Sequence, residues 1–348
     1  MSTIRRVFFL SALASGCASP SDTHPADSTD TGDTGAPDTA DTGGSDTADS
    51  ADTGTVETGE TGVDTADTGE SPADPDLPTL GDWIDTETEW TGDTTCLGAP
   101  WEAPEAVCQV DFSLSGSIAD FQTGDPAAGV DWSLWRTDDP VGTPDATGSA
   151  SRSGTYSMTA PSCTAVTVAT AGPAASGWLP TFAPHTVWPY ANLGAAQDDL
   201  SVVSSQTAVL VAALLGTSWD DATTGIVSGQ VTGCDGEPLG GAQVVVVDAE
   251  GHAPTGAGAW YFDDTNFPVS RGRQSATHPD NGMFVIVGVP DGEWRVFAFG
   301  WDGTAYVDLG AAALTVSAGS FTMLDIYAGH EDGVSYPAIC FAPCDQIN

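Results

Sequence analysis

The sequence predicts an all-β protein: two tandem β-sandwiches with one short connecting helix, after a disordered acidic stalk. Three observations predict it. An acidic Gly-x-Pro turn, a Gly and a strand are written twice, as "GDPAAGVDWSLW" at 124–135 and "GEPLGGAQVVVV" at 236–247. Short apolar runs separated by Gly and Pro turns recur at about 8–12-residue spacing. Gly (41) and Pro (23) are plentiful in the 348 residues, which favours turns and strands over long helices.

The organisation follows in chain order: 1–17 a signal segment, 18–90 a linker, 91–203 the first sandwich, 204–225 a helical connector, 226–330 the second sandwich, and 331–348 a Cys-containing tail. The chain opens "MSTIRRVFFLSALASGC". Arg5 and Arg6 precede an apolar run, Val7–Ala14, that is too short to span a bilayer stably. Small residues and Cys17 close it. This resembles a bacterial lipoprotein signal, although Leu13 stands at −4 where the family prefers Leu at −3. The resemblance implies acyl chains on Cys17 and anchorage in a lipid bilayer. With Ala18 and Ser19 and no Asp after the Cys, it implies the bacterial outer membrane, periplasmic or surface-exposed. An ordinary secretory signal with a chance Cys is the alternative reading.

Residues 18–82 repeat the triplet [DE]-T-[GA] and hold seventeen acids with no Lys or Arg. So few apolar residues cannot offset the entropy of ordering, so a solvated spacer is expected. It would span on the order of 45 Å before charge repulsion stretches it. Asp and carbonyl oxygens also suit Ca²⁺, but the spacing lacks a D-x-D-x-D-G loop. The whole chain carries a formal charge of −42, with 7 Arg and no Lys. That balance repels phosphate backbones, so nucleic acid is excluded as a partner.

In the first copy, "FSLSGSI" (112–118) precedes the Gly-Asp-Pro turn, and "GVDWSLWR" (129–136) is the next strand. Its alternation puts Val130, Trp132 and Leu134 on a core face. The second copy starts with "IVSGQVTG" (226–233) and continues through "AQVVVVDAEG" (242–251). A long insertion follows at 252–273. Residues 149–172 align with 275–300, setting Tyr156 on Phe284 and Pro161 on Pro290. A true internal duplication is expected. Between the copies, Ser204 or Ser205 can cap a helix that Gly216 ends. It is apolar on nearly all sides, so burial between the sandwiches is expected, with a membrane-active role as the alternative.

Gly229, Val231, Gly236, Pro238, Gly241, Ala242 and Val244, then Gly282, Phe284, Val289, Pro290, Gly292 and Trp294, form one motif series. It resembles the carboxypeptidase regulatory-like domain, well over 226–328 and faintly over 113–172. The resemblance implies an immunoglobulin-like/transthyretin-like sandwich, related to starch-binding-like folds. It also implies an accessory role, sometimes with carbohydrate or protein contacts, and no catalytic residues.

Six cysteines remain after Cys17: Cys96, Cys108 and Cys163 in the first half, Cys234, Cys340 and Cys344 in the second. An exported chain with an even count suggests disulfides. Complete pairing requires an odd number of bridges between halves, and one such bridge would lock the sandwiches together. Cys96–Cys108 is the favoured local pair, while Cys344 stays free or pairs locally.

Little else in the sequence points to chemistry. His252, His278 and His330 lie beside turn residues without a metal-ligand spacing, so neither a metal nor any other cofactor is expected. Asp138-Asp139 and Asp263-Asp264 read as solvated turns rather than a glycosidase pair. Among the 11 Trp, exposed rings would suit sugar stacking, with Trp260, Tyr261, Trp294 and Trp301 as the candidate ligand-binding aromatics. The leading expectation is a non-enzymatic envelope lipoprotein with a structural, adhesion or interaction role, meeting envelope proteins or glycans. A carbohydrate-binding module is second, and a metal-dependent or hydrolytic enzyme third.

Overall fold

A computed structural model describes residues 83–84, 86–99, 109–173, 176–189 and 196–341. Cys17, the stalk to residue 82, Cys108 and Cys344 lie outside the described residues. The described residues fall in one compact unit.

The first copy runs through β1 (Asp111–Asp120), β2 (Asp131–Trp135), β3 (Ala146–Ser149), β4 (Thr155–Pro161) and β5 (Ala165–Ala171). It continues with β6 (Trp178–Leu179), β7 (Thr181–Val187), β8 (Ala196–Gln197) and β9 (Leu200–Ser204). One sheet is ordered β4-β1-β9-β6, with β8 beside β1; β3, β2, β5 and β7 form the other layer. Their shared core holds Leu114, Ile118, Trp132, Leu134, Tyr156, Met158, Val168 and Val202. Alternation is strict on β4, where Tyr156, Met158 and Ala160 point inward and Thr155, Ser157 and Thr159 face solvent.

Helix α1 (Ser205–Leu214) follows, then β10 (Thr224–Thr232), β11 (Gln243–Val247), β12 (Gly258–Phe262) and β13 (Pro268–Val269). The copy closes with β14 (Met283–Pro290), β15 (Gly292–Trp301), β16 (Tyr306–Val316), β17 (Phe321–Met323) and β18 (Ile326–Tyr327). The expected insertion supplies β12 and β13, which widen the layer built on β14, β10 and β17. The other layer is β11-β15-β16.

The two copies share one pairing plan. β1 pairs antiparallel with β4 and parallel with β8 and β9; β10 pairs antiparallel with β14 and parallel with β17 and β18. β2-β5-β7 matches β11-β15-β16. The match extends to single residues. A Cβ on Gly116 would lie 1.7 Å from the carbonyl oxygen of Asp198, and one on Gly229 would lie 1.5 Å from that of Leu324. Tyr156 lies over the first glycine and Phe284 over the second. Beside them, the N–H of Ser117 donates to Asp199 Oδ1 and the N–H of Gln230 to Asp325 Oδ1. At the acidic Pro turns, Ala127 N–H bonds Ile118 O and Leu239 N–H bonds Val231 O. Both glycines before the turns, Gly124 and Gly236, have positive φ (73° and 78°), the left-handed region that a Cβ disfavours.

The helix is where expected and packs against both copies, but it is not the whole of the joint. Ser204 caps it, its hydroxyl accepting from Thr207 N–H at 3.0 Å, and Gly216 follows its end in the left-handed region. Its buried side meets both sandwiches, and Thr207 Oγ1 donates to Gln122 Oε1 of the first copy at 2.8 Å. Ala208, Val211 and Ala212 share one cluster with Ile226, Phe262, Met283, Val285 and Val287 of the β12-β14-β10 layer and with Leu179, Val203 and Phe121 of the first copy. Val209 is 58% exposed and Leu214 37%. An all-round apolar helix does not specify which face is buried; the adjacent sheet does.

The joint itself is made of strands. β17 pairs parallel with β7, Phe321 opposite Thr181 and Thr322 opposite Phe182. This fuses a layer of each sandwich into one ten-stranded sheet. Phe121 and Phe321 meet beside it at 5.9 Å. Cys163–Cys340 bridges the C-terminal segment of the second copy to the first, and His185 Nε2 contacts Ala313 O on β16. On chain-entropy grounds, closing a 177-residue separation stabilises by about 4–5 kcal/mol.

Cys96 pairs with Cys234, across 138 residues, so the favoured Cys96–Cys108 pair does not form. The physical reason is where residues 83–99 run. They pack on the second sandwich, through bridges of Glu89 with Trp301 and Thr91 with Gly240. Residues 91–99 therefore sit with the second sandwich instead of opening the first, and residues 83–84 and 86–90 pack there with them. Among the described residues both bridges cross by sequence half, and by architecture Cys163–Cys340 is the one that joins the sandwiches.

Candidate functional site

The four candidate aromatics have separate settings. Tyr261 is fully buried at 0% exposure, and its hydroxyl oxygen accepts from Val244 N–H across the core at 2.9 Å. It is a core residue and presents no ring to a ligand. Trp260, on the opposite face of β12, packs with the cluster beneath α1. Trp294 packs against the inner core and donates its indole N–H to Pro290 O at 2.8 Å. Trp301 meets Tyr306 edge-on at 5.0 Å. These rings form no common row, because strand alternation sends Trp260 and Tyr261 on β12, and Trp294 and Trp301 on β15, to opposite faces.

A more organised feature is the strap, residues 83–99, on the outer face of β11-β15-β16. That face carries Val245, Val247, Phe297, Phe299 and Ala311, with the Phe rings stacked at 6.0 Å and Arg295 over Phe297 at 4.7 Å. Ile84, 7% exposed, inserts into this cluster and Trp83 packs against it. Polar contacts fix the register. Thr86 N–H donates to Gln243 Oε1, and Gln243 Nε2 returns a bond to Thr86 O at 2.7 Å. Tyr306 Oη also donates to Thr86 O, and Arg271 Nη2 donates to Trp83 O at 2.9 Å. The seat is floored with glycine where side chains of the strap come close. A Cβ on Gly300 would lie 2.5 Å from the Trp90 ring, and one on Gly240 2.7 Å from Thr91 Oγ1. Cys96–Cys234 then clips the strap to the turn after β10.

A cleft of about 360 Å³ opens between Thr88 and the loop 271–278. Arg271 and Arg273 line it, two of the five arginines that follow the stalk. Arg271 is engaged with the strap, and Arg273 Nη2 lies 3.5 Å from Asp263 Oδ2. Burial alone would raise Asp263; the Thr265 hydroxyl, the N–H groups of Phe267 and Thr265 and the Arg273 charge outweigh it and hold the carboxyl below its ordinary value. The cleft thus works as a clasp for the strap and for the β12–β13 turn.

The remaining candidates serve the fold. Asp263 Oδ1 accepts from Thr265 N–H and Phe267 N–H, and Asp139 Oδ1 accepts from Thr315 Oγ1 across the joint. His252, His278 and His330 lie in three separate turns, contacting Asp248, Asp280 and Val334 O. Among the described residues, no group of three or more His, Cys, Asp or Glu converges on a metal-sized site. Asp308, on β16, is raised by burial and by Glu331, against the Gly310 N–H and the Arg295 charge.

Sequence reasoning missed the strap, Arg271 and His185. Two signals for the strap were available. "WIDTETEW" puts three large apolar residues at the end of an apolar-poor stretch, and "VVVV" does not alternate. His185 has φ 56° and is 9% exposed, and its joint role depends on a partner 128 residues away.

No family model and no curated protein matches the chain. Among solved structures, the Bacillus anthracis TIE protein is similar at TM-score 0.20 and 9% identity, over 63% of this chain and 34% of that one. The chain thus spans about a third of the length of that protein. Shaft pilin SpaA from Lactobacillus rhamnosus GG is similar at TM-score 0.20 and 11% identity, over 66% and 100%. Hydroxyquinol 1,2-dioxygenase from Pseudomonas putida DLL-E4 follows at TM-score 0.20 and 12% identity, over 37% and 66%. At these TM-scores the sandwich assignment rests on the strand register and the two cores.

Proposed function

We propose that the chain is a non-enzymatic cell-envelope lipoprotein with a structural or adhesive role. In this reading Cys17 carries the acyl chains that hold it to the outer membrane. The acidic stretch spaces the folded block from the bilayer, and the block meets envelope proteins or glycans. We also assign both sandwiches to the carboxypeptidase regulatory-like group. Gly229, Gly282, Phe284 and Pro290 support that assignment, because they occupy turns and core seats rather than a reaction site.

One observation carries the structural role. The two sandwiches are joined by backbone pairing between β7 and β17 and by Cys163–Cys340, so force applied to either copy passes to the other through a sheet and a covalent bond. A ligand-gated hinge would need a looser joint.

The test is made in cells producing the wild type, Cys17→Ser and Cys163→Ser. An alkyne fatty acid should label the wild type and Cys163→Ser but not Cys17→Ser, and the labelled proteins should be in the membrane fraction. Attachment of cells to a surface under flow should weaken in both variants. An unlabelled, released wild type would overturn the anchor. Attachment unchanged by deletion of the whole protein would overturn the adhesive role.

A further inference from the structure

We propose that the strap is a removable cover, and that reduction of Cys96–Cys234 alone frees it while the joint between the sandwiches stays closed. The two disulfides differ in access. Cys163 and Cys340 are 4% and 2% exposed, within a cluster with Val187 and Val334. Cys96 and Cys234 are half-buried at the rim of the second core. A thiolate must reach a sulfur to attack it, so the rim disulfide reacts first. A dithiol reductant supplies two electrons: its thiolate attacks one sulfur, the S–S bond breaks, and its second thiol resolves the mixed disulfide. The products are two protein thiols and the cyclic disulfide of the reductant.

The consequence follows from how the strap is held. Its backbone meets the sandwich through isolated bridges at Glu89 and Thr91 and one bond from Cys234 N–H to Asp93 O, rather than a continuous ladder. Its side chains hold by Ile84, Trp83 and Trp90, and the backbone N–H and O of Thr86 and O of Trp83 bond the side chains of Gln243 and Arg271. With the clip closed, residue 96 is fixed and the strap re-seats after each opening. With the clip open, residues 83–99 lose their covalent tie to the second sandwich. What they uncover is an aromatic face: stacked Phe297 and Phe299, with Val245, Val247 and Ala311. The joint is insulated from this step, because β7–β17 pairing and Cys163–Cys340 lie on other elements.

The test uses the full oxidised chain titrated with dithiothreitol, with alkylation mapping and amide hydrogen exchange at each step. Cys96 and Cys234 should alkylate at least tenfold faster than Cys163 and Cys340. At that point exchange at residues 86–91 should rise at least tenfold, while 181–182 and 321–322 stay protected. Gly300→Ala, which sets a Cβ against the Trp90 ring, should raise exchange at 86–91 with both disulfides intact. Equal alkylation of all four cysteines, or reduction of the clip with 86–91 still fully protected, would overturn the proposal.

Discussion

The two sandwiches follow one plan and differ in what covers them. In the first, β4 alternates between core and solvent, and the run of buried residues is confined to β5, which the segment with Val334 and Cys340 meets at Ala165. In the second, all five residues of β11 are buried, as are the first five of β14. The difference is due to two additions. Helix α1 covers the outer face of one layer of the second copy, and the strap covers the outer face of the other. A strand buried on both faces has no reason to alternate. The apolar runs "VVVV" and "MFVIV" therefore record the covers, and the shared pairing plan explains the rest.

That contrast can be broken where the copies are most alike. Gly116→Ala and Gly229→Ala each drive a Cβ into a backbone carbonyl that cannot retreat without parting two strands. Each should cost about 3 kcal/mol or more in urea unfolding, and the two losses should be similar. A tolerated alanine at one site alone would mean the two copies are not built alike there.

Next comes a substitution that separates the copies. Ile84→Ala empties the anchor of the strap and should cost about 2 kcal/mol, with exchange rising over 243–247 and 297–299 and unchanged over β1 and β4. The helix offers a paired version. Ala208→Asp buries a charge under α1 and should cost about 2–3 kcal/mol, whereas Val209→Asp, on the solvent side, should stay within about 0.5 kcal/mol. Equal effects at 208 and 209 would place the helix elsewhere.

The smallest effects are electrostatic and have opposite signs within the second copy. Asp263 is held below its ordinary value of 3.8, so its contribution is complete above that pH and is lost as pH falls through the folded value. Asp308 is raised above 3.8, mainly by burial, so the folded state binds its proton more tightly than the unfolded chain does. Stability due to Asp308 therefore falls as pH rises from 3.8 to the folded value and stays reduced at neutral pH. Asp263→Asn should destabilise at pH 7, and Asp308→Asn should stabilise by under about 1 kcal/mol. Both differences should shrink in acid, as read by thermal melts at pH 7 and pH 3.

Much of this fold was legible in the sequence. The alignment of Tyr156 with Phe284 survives as two rings over two equivalent glycines, and the cap at Ser204 and the stop at Gly216 are where local chemistry puts them. Val130, Trp132 and Leu134 are core residues, as their alternation requires. What could not be read depends on distant partners. Nothing near Cys96 reveals that its partner is 138 residues away, and the burial of Tyr261 follows from pairing with β14 and the bond from Val244. The aromatic site failed for that reason: ring content is visible in sequence, while the face each ring takes is set by sheets and covers.

Hydroxyl-radical footprinting of the oxidised chain tests the central claim most directly. Phe297 and Phe299 lie under the strap and Met283 under α1, with Phe284 as an internal core standard and Phe341, 53% exposed, as a surface standard. Phe297 and Phe299 should label as slowly as Phe284, and Met283 should be far slower than an exposed methionine. Phe297 and Phe299 labelling at the rate of Phe341 would mean that the outer face of β11-β15-β16 is bare, and the account of a covered second copy would be wrong.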